Sequence, residues 1–339
     1  MRSVDLRSDT VTMPVPAMKE AMMSALAGDD VFGEDSAVNE LERKCAAMFG
    51  MEAGLFCPSG TMANQIAIRM HTSPQDELIC DANSHVHVYE GGGIAFHSGV
   101  SVKTVQGDRG RIRASDVEEN ISPDNVHYPH TSLVCIENTC NRGGGSIYDP
   151  AEIARISEMC RWHGLKLHLD GARIFNAITE TGEDPTAYGK TMDSMSVCLS
   201  KGLGAPVGSL LLSTSEKIRQ ARRIRKVMGG GMRQAGYIAA AGIYALEHHV
   251  GRLKDDHRRA REMAAALQHI SCVAEIMPVQ TNIVVFRLED GMPQDLFLSR
   301  LQKQGILAIA FGRQTIRMVT HLDIADDDIE RAVRALVSL

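Results

Sequence analysis

The sequence predicts an α/β protein in which a mostly parallel sheet, with helices on both faces, is followed by a smaller α+β part. Two patterns support this fold class. Between residues 53 and 212, short apolar runs alternate with helical patterns in the order β-α-β, which is typical of parallel sheets. After residue 282 the order becomes strand, helix, strand, helix. A chain of 339 residues also has the length of roughly two domains.

The predicted elements follow in chain order. Residues 1–33 are polar and rich in turn-forming residues, so we expect an arm laid over other parts of the fold. A large domain is expected over 34–247 and a small domain over 248–339. Hydrophobic periodicity and end signals predict the following elements: helix 34–50, strand 53–57, helix 62–70, strands 78–80, 100–105 and 132–137, helix 149–164, strands 165–170 and 195–199, a long helix 235–269, strand 282–288, helix 294–304, strand 315–320 and helix 326–337.

Composition excludes several classes of function. The net charge of −6 gives no reason to expect a nucleic-acid partner, and the basic run 219–226 reads as a solvated helix face or an anion site. The eight cysteines show neither a CxxC pair nor zinc-ligand spacing, so we expect reduced thiols in a cytoplasmic protein. No apolar stretch has the length of a membrane span, and the first twelve residues lack the apolar core of a signal peptide.

A lysine stands where an apolar strand ends. The run from Met195 to Leu199 continues directly into Ser200 and Lys201, and glycines follow at 202, 204 and 208. Desolvation lowers the pKa of a lysine and favours the free amine, which is the form that attacks carbonyl carbons. We expect the glycines to leave room beside the amine for a flat ligand. The alternative is a lysine that reaches solvent from the strand end.

Asp170 ends another predicted strand, 31 residues before Lys201, and Arg173 follows it. Pyridoxal 5′-phosphate needs a lysine for its aldehyde, a carboxylate for its ring nitrogen and a cradle for its phosphate. Lys201 and Asp170 would supply the first two from the carboxyl ends of strands, where α/β sheets bind ligands. The small-residue turn at Gly60 and Thr61, before an apolar helix, could supply the third, although the same pattern also starts ordinary helices.

Polar residues elsewhere suggest the walls of a pocket. His85 and His87 alternate before three glycines, but no third ligand stands nearby, so we expect no metal. Arg317 lies in the middle of a predicted strand and faces either solvent or a carboxylate.

Taken together, these motifs resemble the low-specificity L-threonine aldolases, pyridoxal-phosphate enzymes of the aspartate-aminotransferase-like fold (fold type I). This resemblance implies a seven-stranded sheet in the large domain, which would bind the cofactor. It covers nearly the whole chain, in order, and is carried by DLRSDTVT (5–12), GDDVFGED (28–35), PSGTMAN (58–64), the His85 loop, LDGARIFNA (169–177), CLSKGLGAPVGSLL (198–211), RKVMGGGMRQAG (225–236) and RMVTHLD (317–323).

The resemblance implies a role for each matching residue. Lys201 would form the Schiff base with the cofactor, Asp170 would pair with the pyridine nitrogen, and His85 would stack on the ring. Arg173 would lie near the phenolic oxygen and the substrate carboxylate. The phosphate would be held by Gly60, Thr61 and Ser200.

The resemblance also implies how substrate is bound. Ser8 and Arg317 would bind the substrate carboxylate, and His127 would contact the substrate hydroxyl. Lys226 and Arg233 would reach the site of a neighbouring subunit in a homotetramer, a dimer of dimers with its sites at the dimer interface. The small molecule that these residues are expected to bind, besides the cofactor, is an amino acid substrate.

The implied reaction is retro-aldol cleavage of L-threonine, L-allo-threonine and related β-hydroxy-α-amino acids to glycine and an aldehyde. His85, His127 or a water they hold would take the hydroxyl proton. Two positions depart from the family pattern: Phe32 replaces a common tyrosine, and Cys140 replaces a common histidine before three glycines. The alternatives are another pyridoxal-phosphate lyase on this scaffold, such as a β-eliminating enzyme, or a protein that binds the cofactor without catalysis.

Overall fold

A seven-stranded sheet forms the centre of the larger part of the chain in the computed structural model, which describes residues 2–338. The strands of the whole chain are β1 Val4–Asp5, β2 Ala53–Cys57, β3 Glu77–Asp81, β4 Ser101–Val105, β5 Thr131–Glu137, β6 Lys166–Gly171, β7 Ser194–Cys198, β8 Ser209–Ser213, β9 Val273–Ile276, β10 Ile283–Leu288, β11 Ile306–Leu307, β12 Ile309–Gly312 and β13 Thr315–Val319.

The large sheet has the order β2-β8-β7-β6-β5-β3-β4. All its neighbouring pairs are parallel except those of β8, which runs antiparallel to both β2 and β7. The predicted mostly parallel seven-stranded sheet is therefore confirmed.

Helices cover both faces of this sheet. The helices of the whole chain are α1 Pro16–Met23, α2 Ser36–Met48, α3 Gly60–His71, α4 His85–Val88, α5 Ala114–Glu118, α6 Pro150–Trp162, α7 Ile174–Thr181, α8 Thr186–Thr191, α9 Ser215–Val227, α10 Gly236–His248, α11 Leu253–Leu267, α12 Gln294–Lys303 and α13 Asp326–Val337. Asp35 caps α2 by accepting from the Val38 N–H, and Asp149 caps α6. These caps explain why both helices begin where the sequence predicts.

Successive side chains of a strand point to opposite faces of the sheet, so one strand can contribute to two separate apolar clusters. In β8, Leu210 and Leu212 pack in the cluster that contains α2, α6 and α10, whereas Leu211 packs with α3 and α9 on the opposite face. A strand buried on both faces is continuously apolar, and each fully buried leucine contributes roughly 1.5–3 kcal/mol. The apolar layers on both sides hold the strand ends rigidly, and those ends carry the functional side chains.

The smaller part is built on the antiparallel sheet β12-β13-β10-β9. The N-terminal segment belongs to this region as well, because β1 pairs in parallel with β11 and places Val4 beside Ile306. Val4 and Leu6 are buried in the same cluster as Phe286. Further along the segment, α1 packs against α10 of the larger part. The first residues are therefore tied to both parts of the molecule.

The predicted long helix 235–269 is wrong. The structure has two helices, α10 and α11, separated by a turn at residues 249–252. Ala239 and Ala245 of α10 pack in the large core, whereas Ala260 and Met263 of α11 pack in the small core. One straight helix could not serve both cores, so tertiary packing overrides the continuous helical periodicity.

Within residues 2–338, no helix is both long enough and apolar enough to cross a membrane.

Candidate active site

A cavity of about 270 Å³ lies at the carboxyl ends of the parallel strands. We call it the lysine cavity. Asp170 comes from the end of β6, and Lys201 follows β7, the next strand in the sheet. Six of the residues singled out in the sequence line this cavity together: Gly60, Thr61, His85, Asp170, Ser200 and Lys201.

The start of α3 forms one wall of the lysine cavity. Ser59 caps this helix, and its hydroxyl accepts from the Met62 N–H at 3.1 Å. The first N–H groups of a helix have no intrahelical acceptor, and the helix dipole makes this end positive. Gly60 and Thr61 stand in this first turn, and Ser200 lines the cavity with them. The wall can therefore bind an anionic group such as a phosphate.

The glycines after Lys201 have a different role from the one predicted. A Cβ at Gly208 would lie 2.5 Å from the Phe56 ring, and the φ of Gly208 is +119°. A Cβ at Gly204 would lie 3.0 Å from Leu322. These residues do not line the lysine cavity. They are small because protein side chains pack against them, so the expectation that they leave room for a ligand is corrected.

The Asp170 carboxylate is held from two sides. The Asn64 amide donates to its Oδ2 at 2.9 Å, and the Ala172 N–H donates to its Oδ1 at 3.0 Å. Asp170 itself is 3 % exposed. This side chain is therefore a fixed acceptor directed at whatever occupies the cavity.

His85 is paired with a buried carboxylate. Its Nδ1 lies 2.9 Å from Glu90 Oε1, and Glu90 also accepts from Asn64 and Gln65. Burial by itself lowers the pKa of His85, but the hydrogen bond to Glu90 and the charge of Asp170 outweigh it, and the net pKa is raised. The Glu90 contact fixes the proton on Nδ1 and leaves Nε2 for a ligand.

Possible metal ligands also meet here, since His85, Glu90 and Asp170 bring three ligand atoms within 4.8 Å of one another. The carboxylate oxygens already accept the Asn64, Gln65 and His85 hydrogen bonds. The absence of a metal remains a prediction.

Arg173 forms a buried, bidentate ion pair with Asp9, with both N–O distances 2.7 Å. Burial raises the pKa of Asp9, but Arg173 and the charge of Lys201 outweigh it and bring that pKa to about 2. The Asp9 contact brings the N-terminal segment close to the lysine. Arg173 itself does not line the lysine cavity, so its predicted contact with cofactor and substrate remains a prediction.

Arg317 and Ser8 approach each other from different parts of the chain. Arg317 lies in β13, and its guanidinium donates to the Arg7 carbonyl at 3.1 Å and to Asn141 Oδ1 at 2.9 Å. Its Nε is buried and has no partner within residues 2–338. Burial, together with the charge of Arg173, lowers the pKa of Arg317 to about 10. Because this guanidinium has no carboxylate partner within residues 2–338, it is suited to bind a carboxylate.

His127 does not reach the lysine cavity of its own chain. It lies in an exposed segment that leads into the start of β5, whereas Glu137 ends β5 next to Asp170. A strand of this length separates its two ends by roughly 20 Å. Within one chain, His127 therefore lies at the opposite end of β5 from Asp170, and its predicted contact with the substrate hydroxyl remains a prediction.

Lys226 and Arg233 also lie outside the lysine cavity. Lys226 lines a separate, basic cavity of about 320 Å³. Arg233 is exposed, pairs with Asp29 at 2.9 Å, and lies over the Phe32 ring. Their predicted action on a neighbouring subunit remains a prediction.

The two departures from the family pattern occupy different environments. Phe32 is 73 % exposed. Cys140 is buried, and its thiol donates to the Glu137 carbonyl. Gly145, in the glycine run after it, has a φ of +74°, and a Cβ there would lie 2.4 Å from the Thr281 hydroxyl. The run therefore allows a close approach to the smaller part of the chain.

Sequence reasoning missed several residues of this site: Asp9, Asn64, Glu90, Glu137 as a titrating group, and His168. Burial, with the charge of Asp170 acting in the same direction, raises the pKa of Glu137 to about 6. Two of these residues left a signal. His168 stands two positions before Asp170 on one strand and so shares its face. Asn64 stands one turn after Gly60 and Thr61 on α3. Asp9 and Glu90 have no comparable signal.

This fold and site define a class. The lysine cavity holds an amine, a fixed carboxylate and a helix N-terminus, which are the three groups that pyridoxal 5′-phosphate requires. The residues fit that cofactor: Lys201 for the aldehyde, Asp170 for the ring nitrogen, and the Gly60 turn for the phosphate. The chain is thus a pyridoxal-phosphate protein of fold type I, as predicted.

Comparisons with known proteins narrow this class. The profile of the family described as Beta-eliminating lyase matches residues 5–290. Low-specificity L-threonine aldolase 1 of Arabidopsis thaliana is 41 % identical over 97 % of this chain and 94 % of its own. The low specificity L-threonine aldolase of Escherichia coli K12 is 40 % identical over 96 % of each chain. A solved structure of Leishmania major threonine aldolase superposes with a TM-score of 0.86 at 22 % identity, covering 98 % of both chains, which shows the shared fold.

The chain belongs to the low-specificity L-threonine aldolase family, within the wider Beta-eliminating lyase family. The predicted resemblance is confirmed, and so is the predicted cofactor. The chain is accordingly assigned to the carbon–carbon lyases.

Proposed function

We propose that this enzyme cleaves the Cα–Cβ bond of L-threonine, L-allo-threonine and related β-hydroxy-α-amino acids to give glycine and an aldehyde. The observation that carries the proposal is the meeting of Lys201, Asp170 and the His85–Glu90 pair around one cavity. This set supplies an attachment point, a partner for the ring nitrogen and a proton acceptor. Full-length relatives named as L-threonine aldolases support the same conclusion.

Binding of the substrate carboxylate would orient the amino acid in the site. Arg317 and Ser8 would bind the substrate carboxylate, and that contact fixes the orientation of the amino acid relative to the cavity. Orientation matters because the bond that breaks must be aligned with the electron acceptor. Pyridoxal phosphate, when bound, supplies that acceptor by withdrawing electrons from the breaking bond.

His85 would be the proton acceptor, because it lines the lysine cavity and its Nδ1 is paired with Glu90. Its Nδ1 is engaged by Glu90, and Nε2 would accept the β-hydroxyl proton, directly or through a water, as the carbonyl of the aldehyde forms. The glycine product then gains one proton at Cα. The role proposed for His85 does not depend on His127, which lies at the other end of β5 in its own chain.

The test is a product assay with the holoenzyme. L-threonine, L-allo-threonine and their D-isomers are supplied side by side, and aldehyde, glycine, ammonia and keto acid are measured. We expect one glycine for each aldehyde from the L-isomers. Ammonia and a keto acid in place of glycine and aldehyde would favour the β-eliminating alternative that the wider family's description raises. A bound cofactor with no product at all would favour a non-catalytic protein.

We further propose a homotetramer, a dimer of dimers, in which Lys226 and Arg233 of one subunit complete the site of another. Both residues lie outside the lysine cavity of their own chain, and Lys226 has no side-chain partner within residues 2–338. Light scattering gives the assembly size. Mixing Lys201→Ala with Arg233→Ala chains should restore activity, because some sites then carry neither defect. Absence of complementation would contradict shared sites.

We propose a cytoplasmic location because the cysteines are free thiols. All eight are free thiols, and seven of them are buried. Such thiols are typical of a reducing compartment. The proposed cleavage reaction releases glycine, so the enzyme would supply glycine to amino acid metabolism.

A further inference from the structure

A line of buried polar side chains runs through the large sheet beneath Asp170. Asn64 touches Asp170, and His168 Nε2 lies 3.1 Å from Asn64 Oδ1. His168 Nδ1 lies 2.8 Å from the Ser194 hydroxyl, which in turn lies 2.9 Å from His71 Nε2. These residues are buried. We call them the polar chain.

The hydrogen bonds of the polar chain have one consistent direction. The Asn64 amide nitrogen donates to two carboxylates, Asp170 and Glu90. Its oxygen must therefore accept, which requires the proton of His168 on Nε2. A neutral His168 then accepts at Nδ1 from the Ser194 hydroxyl. The Ser194 oxygen is left to accept from His71 Nε2, so every donor is directed toward Asp170.

The far end of the polar chain supports this direction. In the arrangement above, His71 Nδ1 is a lone pair, and the structure leaves this atom buried without a partner within residues 2–338. Burial, followed by the charge of His168, lowers the pKa of His71 to about 3, and burial lowers the pKa of His168 to about 4. Both imidazoles are therefore neutral at pH 7. They act on Asp170 through aligned dipoles and not as counter-charges.

We propose that His168, held in one tautomer by Ser194, is a positioning residue that orients Asn64 and thereby keeps the Asp170 carboxylate directed at the ring nitrogen of the cofactor. This inference rests on the proposed function, since it takes Asp170 as the partner of that nitrogen. His168 does not line the lysine cavity, so it acts only through Asn64. Without its donated proton, the Asn64 oxygen loses its partner, and the amide can rotate away from the two carboxylates.

The experiment measures the ring nitrogen directly. The holoenzyme is loaded with pyridoxal phosphate labelled with ¹⁵N in the ring, and solid-state NMR reports whether that nitrogen is protonated. We expect a protonated nitrogen in the unsubstituted enzyme and its loss in Asp170→Asn. His168→Leu should shift the signal toward the unprotonated value and weaken cofactor binding about tenfold, the equivalent of one hydrogen bond near 1.4 kcal/mol.

Three further variants make the test decisive. His168→Gln keeps an N–H that can reach Asn64, so it should return the signal toward that of the unsubstituted enzyme. Ser194→Ala removes the hydroxyl that holds the proton of His168 on Nε2, with little change of volume, and should shift the signal in the same direction as His168→Leu. It replaces His168→Leu as the test if that variant does not fold. His269→Leu, at an exposed histidine far from the sheet, is the matched control.

The outcomes separate the two proposals. An unprotonated nitrogen in the unsubstituted enzyme, unchanged in Asp170→Asn, would overturn the assignment of Asp170 in the proposed function. A signal that responds to Asp170→Asn but not to His168→Leu or Ser194→Ala would overturn the role of the polar chain alone.

Discussion

The lysine cavity and the basic cavity around Lys226 are similar in size but differ in how their charges are balanced. In the lysine cavity, Asp170 and His85 have partners from the same chain. In the basic cavity, Arg225 pairs with Asp30, but Arg223 and Lys226 have no side-chain partner anywhere in residues 2–338. In the lysine cavity, the side chains of Asp170 and His85 are thus held by partners within one chain. The basic cavity carries positive charge that an anion from outside the chain would balance.

Because of this difference, we expect substitutions in the two cavities to have different effects. Substitutions in the lysine cavity should abolish the chemistry, whereas substitutions in the basic cavity should weaken binding of a shared anion. Lys201→Ala and Lys226→Ala test this distinction directly, whereas Arg317→Leu and the pH dependence of stability concern residues that line neither cavity.

Lys201→Ala should abolish aldehyde release, by at least about a thousandfold, because no other amine in the lysine cavity can attach the cofactor. The absorption band of the attached cofactor should disappear as well. The measurement is a spectrum together with the product assay. Retention of both the band and the product would show that the attachment site lies elsewhere.

Arg317→Leu should raise the KM for L-threonine about 30-fold or more, because loss of a buried charged partner costs about 2–5 kcal/mol. Cofactor affinity should change far less. Arg287→Leu is the matched control, because Arg287 stands on the neighbouring strand of the same sheet but is exposed. Equal KM values for the two variants would remove Arg317 from carboxylate binding.

Lys226→Ala should weaken cofactor binding about tenfold, since one partly exposed phosphate contact contributes about 1–1.5 kcal/mol. Equilibrium titration of the apoenzyme with pyridoxal phosphate measures this. Arg219→Ala, on the exposed face of the same helix, should leave affinity unchanged. If the effect of Lys226→Ala is no larger than that of Arg219→Ala, the basic cavity does not bind the cofactor of another subunit.

Stability should fall as the pH drops from 6.5 toward 4. His71 and His168 have lowered pKa values in the folded state, so the unfolded chain binds protons that the folded chain does not. Their contribution is complete above pH 6.5 and is lost at about 1.4 kcal/mol per pH unit for each histidine. Asp9 contributes at lower pH, because its folded pKa is about 2.

His71→Gln should remove the contribution of His71 to the pH dependence of the unfolding free energy and leave that of His168. His269→Gln should leave both contributions unchanged. Chemical unfolding across this pH range compares them. Identical pH slopes in the unsubstituted protein and His71→Gln would show that His71 does not titrate in this way.

The sequence predicted that Lys201 and Asp170 would lie together, because each follows an apolar run and the carboxyl ends of neighbouring parallel strands meet at one edge of the sheet. It failed where the decisive contact is distant in the chain. Asp9 meets Arg173 across 164 residues, and nothing local to either side chain indicates that pair. The long helix was predicted over 235–269 because periodicity cannot show that its two halves pack in different cores.

The position of His127 illustrates the same limit. Its residue type suits proton transfer, but only the direction of β5 reveals which edge of the sheet it occupies. By contrast, the role of the glycines at 204 and 208 was misjudged because a missing side chain can make room for a ligand or for a neighbouring Leu or Phe, and sequence does not distinguish them.

The turn between α10 and α11 is hydrogen-bonded to the loop that follows Lys201. His249 begins this turn, and its Nδ1–H donates to the Leu203 carbonyl at 2.7 Å, two residues after Lys201. Because α10 packs in the large core and α11 in the small core, this single hydrogen bond joins the junction of the two cores to the backbone next to the lysine.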